Sequence, residues 1–578
     1  MTSTRAHSIL HRSSSFAFSW VAIGQRGSRL AAFGLLLVGP LVCAAAESTS
    51  ASASRDVTIE TRYLNFPVKN GAPQRHVKLL LEGDRDYSFD IELADGEPDW
   101  WAFIDVSKSR GRKGTLQVEG LPHNSSALSR IDQSDEIRGA PLYQEALRPQ
   151  FHFSSRRGWN NDPNGLAFFR GEYHLFYQHN PFGWNWGNMH WGHAVSRDLV
   201  HWKELGDVLR PDQFGPMFSG SAVVDWRNSS GLGTPSKPPL VLFYTAAGNP
   251  TVQCLASSLD GRSVAKFDHN PIIPQITAGN RDPKVCWFEP TGRWVMTLYV
   301  ETNKVNTIQF LTSTNLKNWT LTSSIDGFFE CPDFFELPVD GNQGNRKWVL
   351  TAGSSEYMVG TFDGAKFTPE TPKLHGHSGK GFYAAQTYSD IPKRDGRRIQ
   401  IGWLQAPAPG MSFNQGMSLP LELKLIGTEA GPRLTWTPVK EIDRLRASSV
   451  RSRVRTLREG DPNPLAKAKS ELAELEAEFE PGEAEVVFNV RGASVSYDGK
   501  TQDLVVNGQR ASAPLFRGRQ QLRVYIDRTS IEVFASRGLT YVPMPFIPRS
   551  DNLSFAVQTR HGAIAIQSLA VHRLHSAW

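Results

Sequence analysis

Asp162-Pro-Asn-Gly-Leu-Ala-Phe-Phe169, then Arg170-Gly171, then Tyr173-His-Leu-Phe-Tyr-Gln178 is a short strand, a tight turn and a strongly apolar strand. The same phrase returns four times. Phe218-Ser-Gly-Ser-Ala-Val-Val224 leads through a Gly/Ser/Pro loop to Leu240-Val-Leu-Phe-Tyr-Thr245. Asp282-Pro-Lys-Val-Cys-Trp-Phe288 turns at Thr291-Gly292 into Trp294-Val-Met-Thr-Leu-Tyr299. Glu330-Cys-Pro-Asp-Phe-Phe-Glu-Leu337 precedes Trp348-Val-Leu-Thr-Ala352, and Phe382-Tyr-Ala-Ala-Gln-Thr387 precedes Ile399-Gln-Ile-Gly-Trp-Leu404. Third-strand echoes follow several of them, at Ser196–Trp202, Ser313–Trp319 and Gly360–Phe367. The apolar strands begin at 173, 240, 294, 348 and 399, a period of about 50–65 residues. A repeat of that length built from short antiparallel strands is what propeller blades look like in sequence, and five units predict five blades.

The flanks do not share the repeat. Residues 47–140 read as a Ser/Ala/Thr linker followed by a small accessory β-domain, with alternation in Val77-Lys-Leu-Leu-Leu-Glu82 and Tyr87-Ser-Phe-Asp-Ile-Glu-Leu93. Adjacent strand residues Trp100 and Trp101 face opposite ways, so only one could stack on a sugar. Residues 141–435 are expected to form the propeller and 436–578 a C-terminal β-sandwich, from strand patterns such as Glu485–Val490, Leu522–Asp527 and Ser530–Phe534. The stretch Pro464–Glu480 carries Leu465, Ala468, Leu472, Leu475 and Phe479 at helical spacing and predicts a helix. The fold class is all-β: a five-bladed propeller, a C-terminal β-sandwich and an N-terminal accessory domain.

Composition excludes several classes. Of the 578 residues, 40% are hydrophobic and 21% charged, which rules out extensive disorder. The net charge of +6 shrinks once residues 1–46 are set aside. They hold Arg5, Arg12, Arg26 and Arg29 and no acid, so 59 basic residues remain against 57 acidic ones. A body near +2 gives no electrostatic case for nucleic acid or an anionic membrane. The leader's interrupted apolar run, Leu30 to Ala46, is too short to span a bilayer comfortably and ends in small residues. It predicts a signal peptide cleaved near Ala46 and a secreted protein, extracellular or periplasmic, with no stable membrane span. Cys254, Cys286 and Cys331 form no Cys-x-x-Cys pair, which argues against a disulfide framework and a structural zinc site. Nothing in the sequence indicates the oligomeric state.

Asp162, Asp282 and Glu330 each open a first strand. In a propeller these strands line the axis, so the three carboxylates should converge at one end of the central funnel. Mutual repulsion raises at least one pKa there. One ionised and one protonated carboxyl group is what glycoside cleavage requires. A calcium site is the other chemistry open to clustered acids.

Trp159-Asn-Asn-Asp-Pro-Asn-Gly165, Arg281-Asp-Pro283 and Glu330-Cys331 resemble the three signature motifs of glycoside hydrolase family 32, the invertases, inulinases, levanases and fructan β-fructosidases. Tyr177–Pro181, Trp186–His193, Phe218–Ser221 and Asp527–Phe534 match supporting segments in the same order over about residues 145–578. The resemblance implies Asp162 as nucleophile, Glu330 as acid/base and Asp282 as transition-state stabiliser. It also implies a fructose pocket lined by Trp159, Asn161, Gln178, Trp186, Phe218, Ser219, Arg281 and Trp403. The implied mechanism retains configuration through a covalent fructosyl-enzyme, with the Asp162 and Glu330 side chains about 5–5.5 Å apart. Arg281 is expected to keep Asp282 ionised, and Cys331 to be a packing residue beside the acid. No metal or organic cofactor is required.

Which fructoside is cleaved is less constrained. Arg281–Val285 and Phe382–Thr387 look more like bacterial levanases and exo-fructosidases than plant invertases. This favours an exo-acting fructan β-fructosidase releasing fructose from levan or inulin. The alternatives are a sucrose-preferring invertase, an endo-acting levanase or inulinase, and, in a different class, a non-catalytic fructan-binding protein. Loops 205–217 and 406–416 are expected to set pocket depth.

Overall fold

The computed structural model describes residues 51–83, 86–139 and 141–578; the leader and its expected cleavage site at Ala46 lie outside them. Five four-stranded antiparallel blades follow one another along the chain. Blade 1 runs Gly158–Phe169, Glu172–Asn180, His190–Ser196, Trp202–Leu209, and blade 2 Met217–Val224, Leu240–Ala246, Val252–Ser258, Ala265–Lys266. Blade 3 runs Arg281–Phe288, Arg293–Thr302, Val305–Ser313, Thr320–Asp326, and blade 4 Asp333–Val339, Asn342–Thr351, Tyr357–Phe362, Phe367–Pro369. Blade 5 is Phe382–Thr387, Arg398–Leu404, Leu421–Thr428 and Gly431–Pro438.

Burial explains the sequence pattern. The second strand of blade 2, Leu240–Ala246, is buried at every position because its sheet is covered on both faces. The outermost strand Thr320–Asp326 has no fully buried residue, and five of its seven residues are Thr, Ser or Asp. Polar groups near the axis tie the first strands together. Lys284 Nζ donates to the Thr387 carbonyl (2.7 Å) and lies 3.1 Å from Asp333 Oδ1, while Thr387 N–H donates to Asp333 Oδ2 (2.5 Å). Gln386 accepts from Leu166 N–H (3.2 Å) and donates to the Gly220 carbonyl (3.1 Å). Buried and mutually satisfied, these contacts fix blades 1 to 5 in register. The ring closes where Phe413–Asn414, from the 406–416 loop, pairs in parallel with Gly158–Trp159 of blade 1.

The C-terminal sandwich pairs a seven-stranded sheet with a five-stranded one around Leu475, Phe479, Phe488, Val495, Val524 and Val533. The expected helix over Pro464–Glu480 is not there: Ala473–Glu480 is a strand between Gln520–Ile526 and Ile564–Leu574. Ala473, Leu475, Ala477 and Phe479 all point into the core, a period of two that outweighs the helix propensity of Ala, Leu and Glu. On the other face Glu474 is fully buried and accepts from Arg446, Arg523 and Tyr525.

Sandwich and propeller meet at a buried charged knot. His152, 2% exposed, lies between Asp527 (Nδ1, 2.8 Å) and Glu532 (Nε2, 2.9 Å). Asp527 also accepts from the N–H groups of Gln150 and Phe151, and Glu532 from Leu419 N–H and Tyr541 OH. The two carboxylates outweigh the burial of the imidazole and raise it to about 9.

The accessory domain is itself a two-sheet unit. Ala51–Thr58, Lys113–Leu121, Arg75–Leu81 and Tyr87–Ile91 face Trp100–Asp105, Tyr63–Val68 and Asp132–Ser134. Trp100 is buried, its Nε1 donating to Asn70 (3.0 Å), whereas Trp101 sits half-buried beneath the Arg138 guanidinium. Among the described residues no helix is long and apolar enough to cross a membrane, and Cys254, Cys286 and Cys331 are free thiols.

Candidate active site

Each acid is presented by an irregular start to its blade. The ladder of Gly158–Phe169 slips between Asn160 and Pro163, so Asp162 sits in an irregularity of the strand. That of Arg281–Phe288 slips between Arg281 and Lys284, with Asp282 at φ 65°. Glu330 does not open its strand, contrary to expectation. It lies in the turn before Asp333–Val339, at φ 35°, with Cys331 at φ 46°. Ala384 adds φ 49° in a slip of blade 5. Four non-glycine residues in the left-handed region, at roughly 1–3 kcal/mol each, mark a backbone held in place by its surroundings.

The side chains converge. Ser219 Oγ donates to Asp162 Oδ2 (2.6 Å) and Asn161 Nδ2 to Oδ1 (3.0 Å). Cys331 N–H donates to Asp282 Oδ2 (2.9 Å), and its thiol lies 3.4 Å from that oxygen and 3.7 Å from Asp162 Oδ2. Arg281 donates through Nε (2.9 Å) and Nη2 (2.7 Å) to Glu330 Oε2, and Tyr383 OH donates to Oε1 (2.8 Å). The Arg281 guanidinium rests on the Tyr299 ring, 4.5 Å from its centre.

Two expectations change here. Arg281 pairs chiefly with Glu330; its nearest approach to Asp282 is 3.7 Å. Burial therefore pushes the Asp282 carboxyl up to about 7 despite Arg281, with the charges on Glu330 and Asp162 adding to the rise. Asp162 is raised as well, again by burial and against the hydrogen bonds from Ser219 and Asn161. Burial and mutual repulsion thus favour proton uptake by the cluster, and such a proton belongs to the coupled acids jointly. Cys331 is more than packing, because its backbone and thiol join Asp162 to Asp282. Burial and the three carboxylates push the thiol well above its ordinary value, so it is no nucleophile.

The expected pocket residues separate into groups. Trp159 donates from Nε1 to Asn161 (2.8 Å) and meets Trp403 edge-on at 5.8 Å. Trp403 continues to Tyr383 at 6.4 Å. Trp186, 46% exposed, stands edge-on to Phe218 at 5.8 Å. Gln178 is buried on the strand paired with the one that carries Asp162 and, with the Asn164 amide turned to suit its neighbours, donates to the Asn164 side-chain oxygen (3.0 Å). Tyr383 was missed by sequence reasoning. The signal was its place in the fifth repeat, where Phe382-Tyr-Ala-Ala-Gln-Thr387 occupies the position that Asp162 and Asp282 hold in theirs. Of the three candidate metal ligands grouped among the described residues, Glu474, Glu476 and His572, both glutamates already pair with Arg446 and Arg523.

A carboxylate steadied by a hydroxyl and an amide, a second carboxyl in a charge-assisted network, and the neighbouring indoles of Trp159 and Trp403 form a set of groups with which an acetal can be cleaved. Comparison with known proteins agrees. The glycosyl hydrolases family 32 N-terminal domain profile matches residues 152–438 and the family's C-terminal profile residues 441–573. A levanase of Bacillus subtilis is 39% identical over 497 residues, 77% of this chain and 73% of that protein. An extracellular exo-inulinase of Aspergillus awamori is 30% identical over 525 residues, 75% of this chain and 96% of that protein. The crystal structure of exo-inulinase from Aspergillus awamori superposes with a TM-score of 0.68 at 29% identity, covering 75% of this chain and all of that one. The chain is a glycosidase and belongs to glycosyl hydrolases family 32.

Proposed function

We propose that the protein is a secreted, exo-acting fructan β-fructosidase that releases fructose from levan or inulin with retention of configuration. The observation that carries this is the linkage of Asp162, Asp282 and Glu330 through Ser219, Cys331, Arg281 and Tyr383, beneath an aromatic mouth. Levanase and exo-inulinase relatives supply the substrate class. In this reading Asp282 accepts hydroxyls of the fructosyl ring. Glu330 gives its proton to the glycosidic oxygen as Asp162 attacks the anomeric C2, so the C2–O bond breaks as the C2–carboxylate bond forms. Glu330 then takes a proton from water, whose oxygen displaces Asp162. Arg281 and Tyr383 steady Glu330 in its ionised phases. Exo action is supported by the exo-inulinase relative; loop 406–416 is anchored beside blade 1, where the Ser412 carbonyl accepts from Gly158 N–H (2.8 Å) and Asn414 donates to the Trp184 carbonyl (3.0 Å).

The test is a time-resolved product profile of purified protein on levan, inulin and sucrose, with NMR of the first-released anomer. Fructose alone from the polymers, faster than from sucrose and initially β, is the expected result. Early oligosaccharides would make the enzyme endo-acting, and cleavage of sucrose alone would make it an invertase. An inverted anomer would remove Asp162 as nucleophile.

A further inference from the structure

Between the second and third strands of blade 1 the chain makes an excursion, Pro181-Phe-Gly-Trp-Asn-Trp-Gly-Asn-Met189, with Trp186 at its exposed tip beside Phe218. This excursion is held by the N-terminal domain as well as by the propeller. Phe182, 4% exposed, is part of the N-terminal domain's own core: it stacks on Phe89 at 3.7 Å and 14° and meets Phe66 edge-on at 6.4 Å. Trp184 packs against the same core. Asn188 makes a reciprocal pair with the strand Tyr87–Ile91, accepting from Asp90 N–H (2.9 Å) and donating to the Asp90 carbonyl (2.8 Å). Arg210, just beyond the last strand of blade 1, lies over the Tyr87 ring at 4.6 Å.

The propeller side is tied down separately. Asn180 donates to the Asn185 carbonyl (2.8 Å), accepts from Phe182 N–H (3.1 Å) and accepts from Asn188 (3.0 Å), and Asn414 holds the Trp184 carbonyl. The aromatic tip is therefore clamped between two bodies. A loop with so many glycine, asparagine and aromatic residues has no regular ladder of its own. Without the Phe89 stack and the Asp90 pair it would lose half of its anchorage, and a side chain at its tip would spread over many positions.

We propose that the N-terminal domain is a positioning element of the substrate cleft, acting through the Pro181–Met189 excursion. By fixing Trp186 beside Phe218, it sets affinity for the fructosyl unit that enters the pocket. The inference rests on the fructan reading of the site. Phe89 and Asp90 touch no reacting group. Their effect reaches the sugar only through the excursion, and sugar–indole stacking is sensitive to the orientation of the ring face.

The experiment compares the full-length protein with Phe89→Ala, Phe89→Leu, Trp186→Ala and the double variant Phe89→Ala/Trp186→Ala. Each is assayed for kcat and KM on inulin, levan and sucrose, with circular dichroism and thermal melting to establish folding. Expected are a rise in KM of about tenfold in Phe89→Ala, on inulin, levan and sucrose alike, with kcat within about twofold and partial recovery in Phe89→Leu. In the Trp186→Ala background the Phe89→Ala substitution should add no further loss. A uniform fall in kcat on all three substrates, or additive losses in the double variant, would overturn the proposal, because either would make Phe89 a purely structural residue. Failure of the fructan reading is distinguishable: the unsubstituted protein would then release no fructose from either polymer.

Discussion

Replacing Ser219 with Ala removes the shortest of the side-chain hydrogen bonds on Asp162, at 2.6 Å, and leaves those from Asn161 and the Cys331 thiol. A hydrogen bond to a charged group contributes about 1.5–3 kcal/mol, and here it favours the ionised carboxylate. Burial already raises the Asp162 pKa, so removing this bond raises it further. The nucleophilic role proposed for Asp162 requires its ionised form, hence activity is lost as pH falls through the acidic limb, and Ser219→Ala moves that limb upward. At 1.36 kcal/mol per tenfold, the displacement is about one to two pH units, with kcat/KM down roughly 10- to 100-fold below the limb and recovering above it. The assay is kcat/KM for inulin over about pH 4–8, with Ser219→Thr as the variant that keeps the hydroxyl. A profile lowered equally at every pH, with the limb unmoved, would refute the reasoning. Ser219 would then act on a substrate hydroxyl and not on Asp162.

Three other outcomes follow from the same contacts. His152 is raised to about 9 in the folded protein from an ordinary 6.5, so its contribution of about 3 kcal/mol is complete below pH 6.5 and lost as pH climbs through 9. Thermal midpoints should fall between about pH 7 and 10, and His152→Gln should start lower and vary less over that range. Glu330→Gln should lose about 10²- to 10⁴-fold on fructans yet regain much of that rate on a fructoside whose leaving group needs no proton, while Asp162→Asn should not. Cys331 should resist iodoacetamide in the native protein near neutral pH, because its thiol is pushed well above the ordinary value; peptide mapping by mass spectrometry reads this directly.

The propeller was legible because its repeat is carried by the second strands, whose burial on both faces forces continuous apolar runs such as Leu240–Ala246. Convergence of Asp162, Asp282 and Glu330 followed from the same repeat. Their partners did not, because partner choice depends on side-chain reach. Arg281 is next to Asp282 in the chain, but its extended guanidinium reaches across to Glu330. Tyr383 sits in a repeat position whose residue type gave no warning. The strand Ala473–Glu480 was hidden by composition: Ala, Leu and Glu favour helix, yet the strict alternation Ala-Glu-Leu-Glu-Ala-Glu-Phe-Glu was visible and in the end decided. Nothing local in Pro181–Met189 announces that Phe182 completes the core of another domain. That contact joins residues far apart in sequence and has no periodicity to betray it.

The pairing of Gly158–Trp159 with Phe413–Asn414, and the bonds from Gln150 N–H to Asp527, 377 residues downstream, have a consequence for biosynthesis. The segment that leads into Asp162 emerges from the ribosome early but gains these neighbours only in the later part of translation. At about 5–20 residues per second the wait for Asp527 is roughly 20–75 s. Contacts this distant close slowly, since loop entropy must be overcome before they reward the chain. A nascent or prematurely ended polypeptide therefore holds Asp162 first without its closing strand and then, until Asp527 has been made, without its C-terminal anchor.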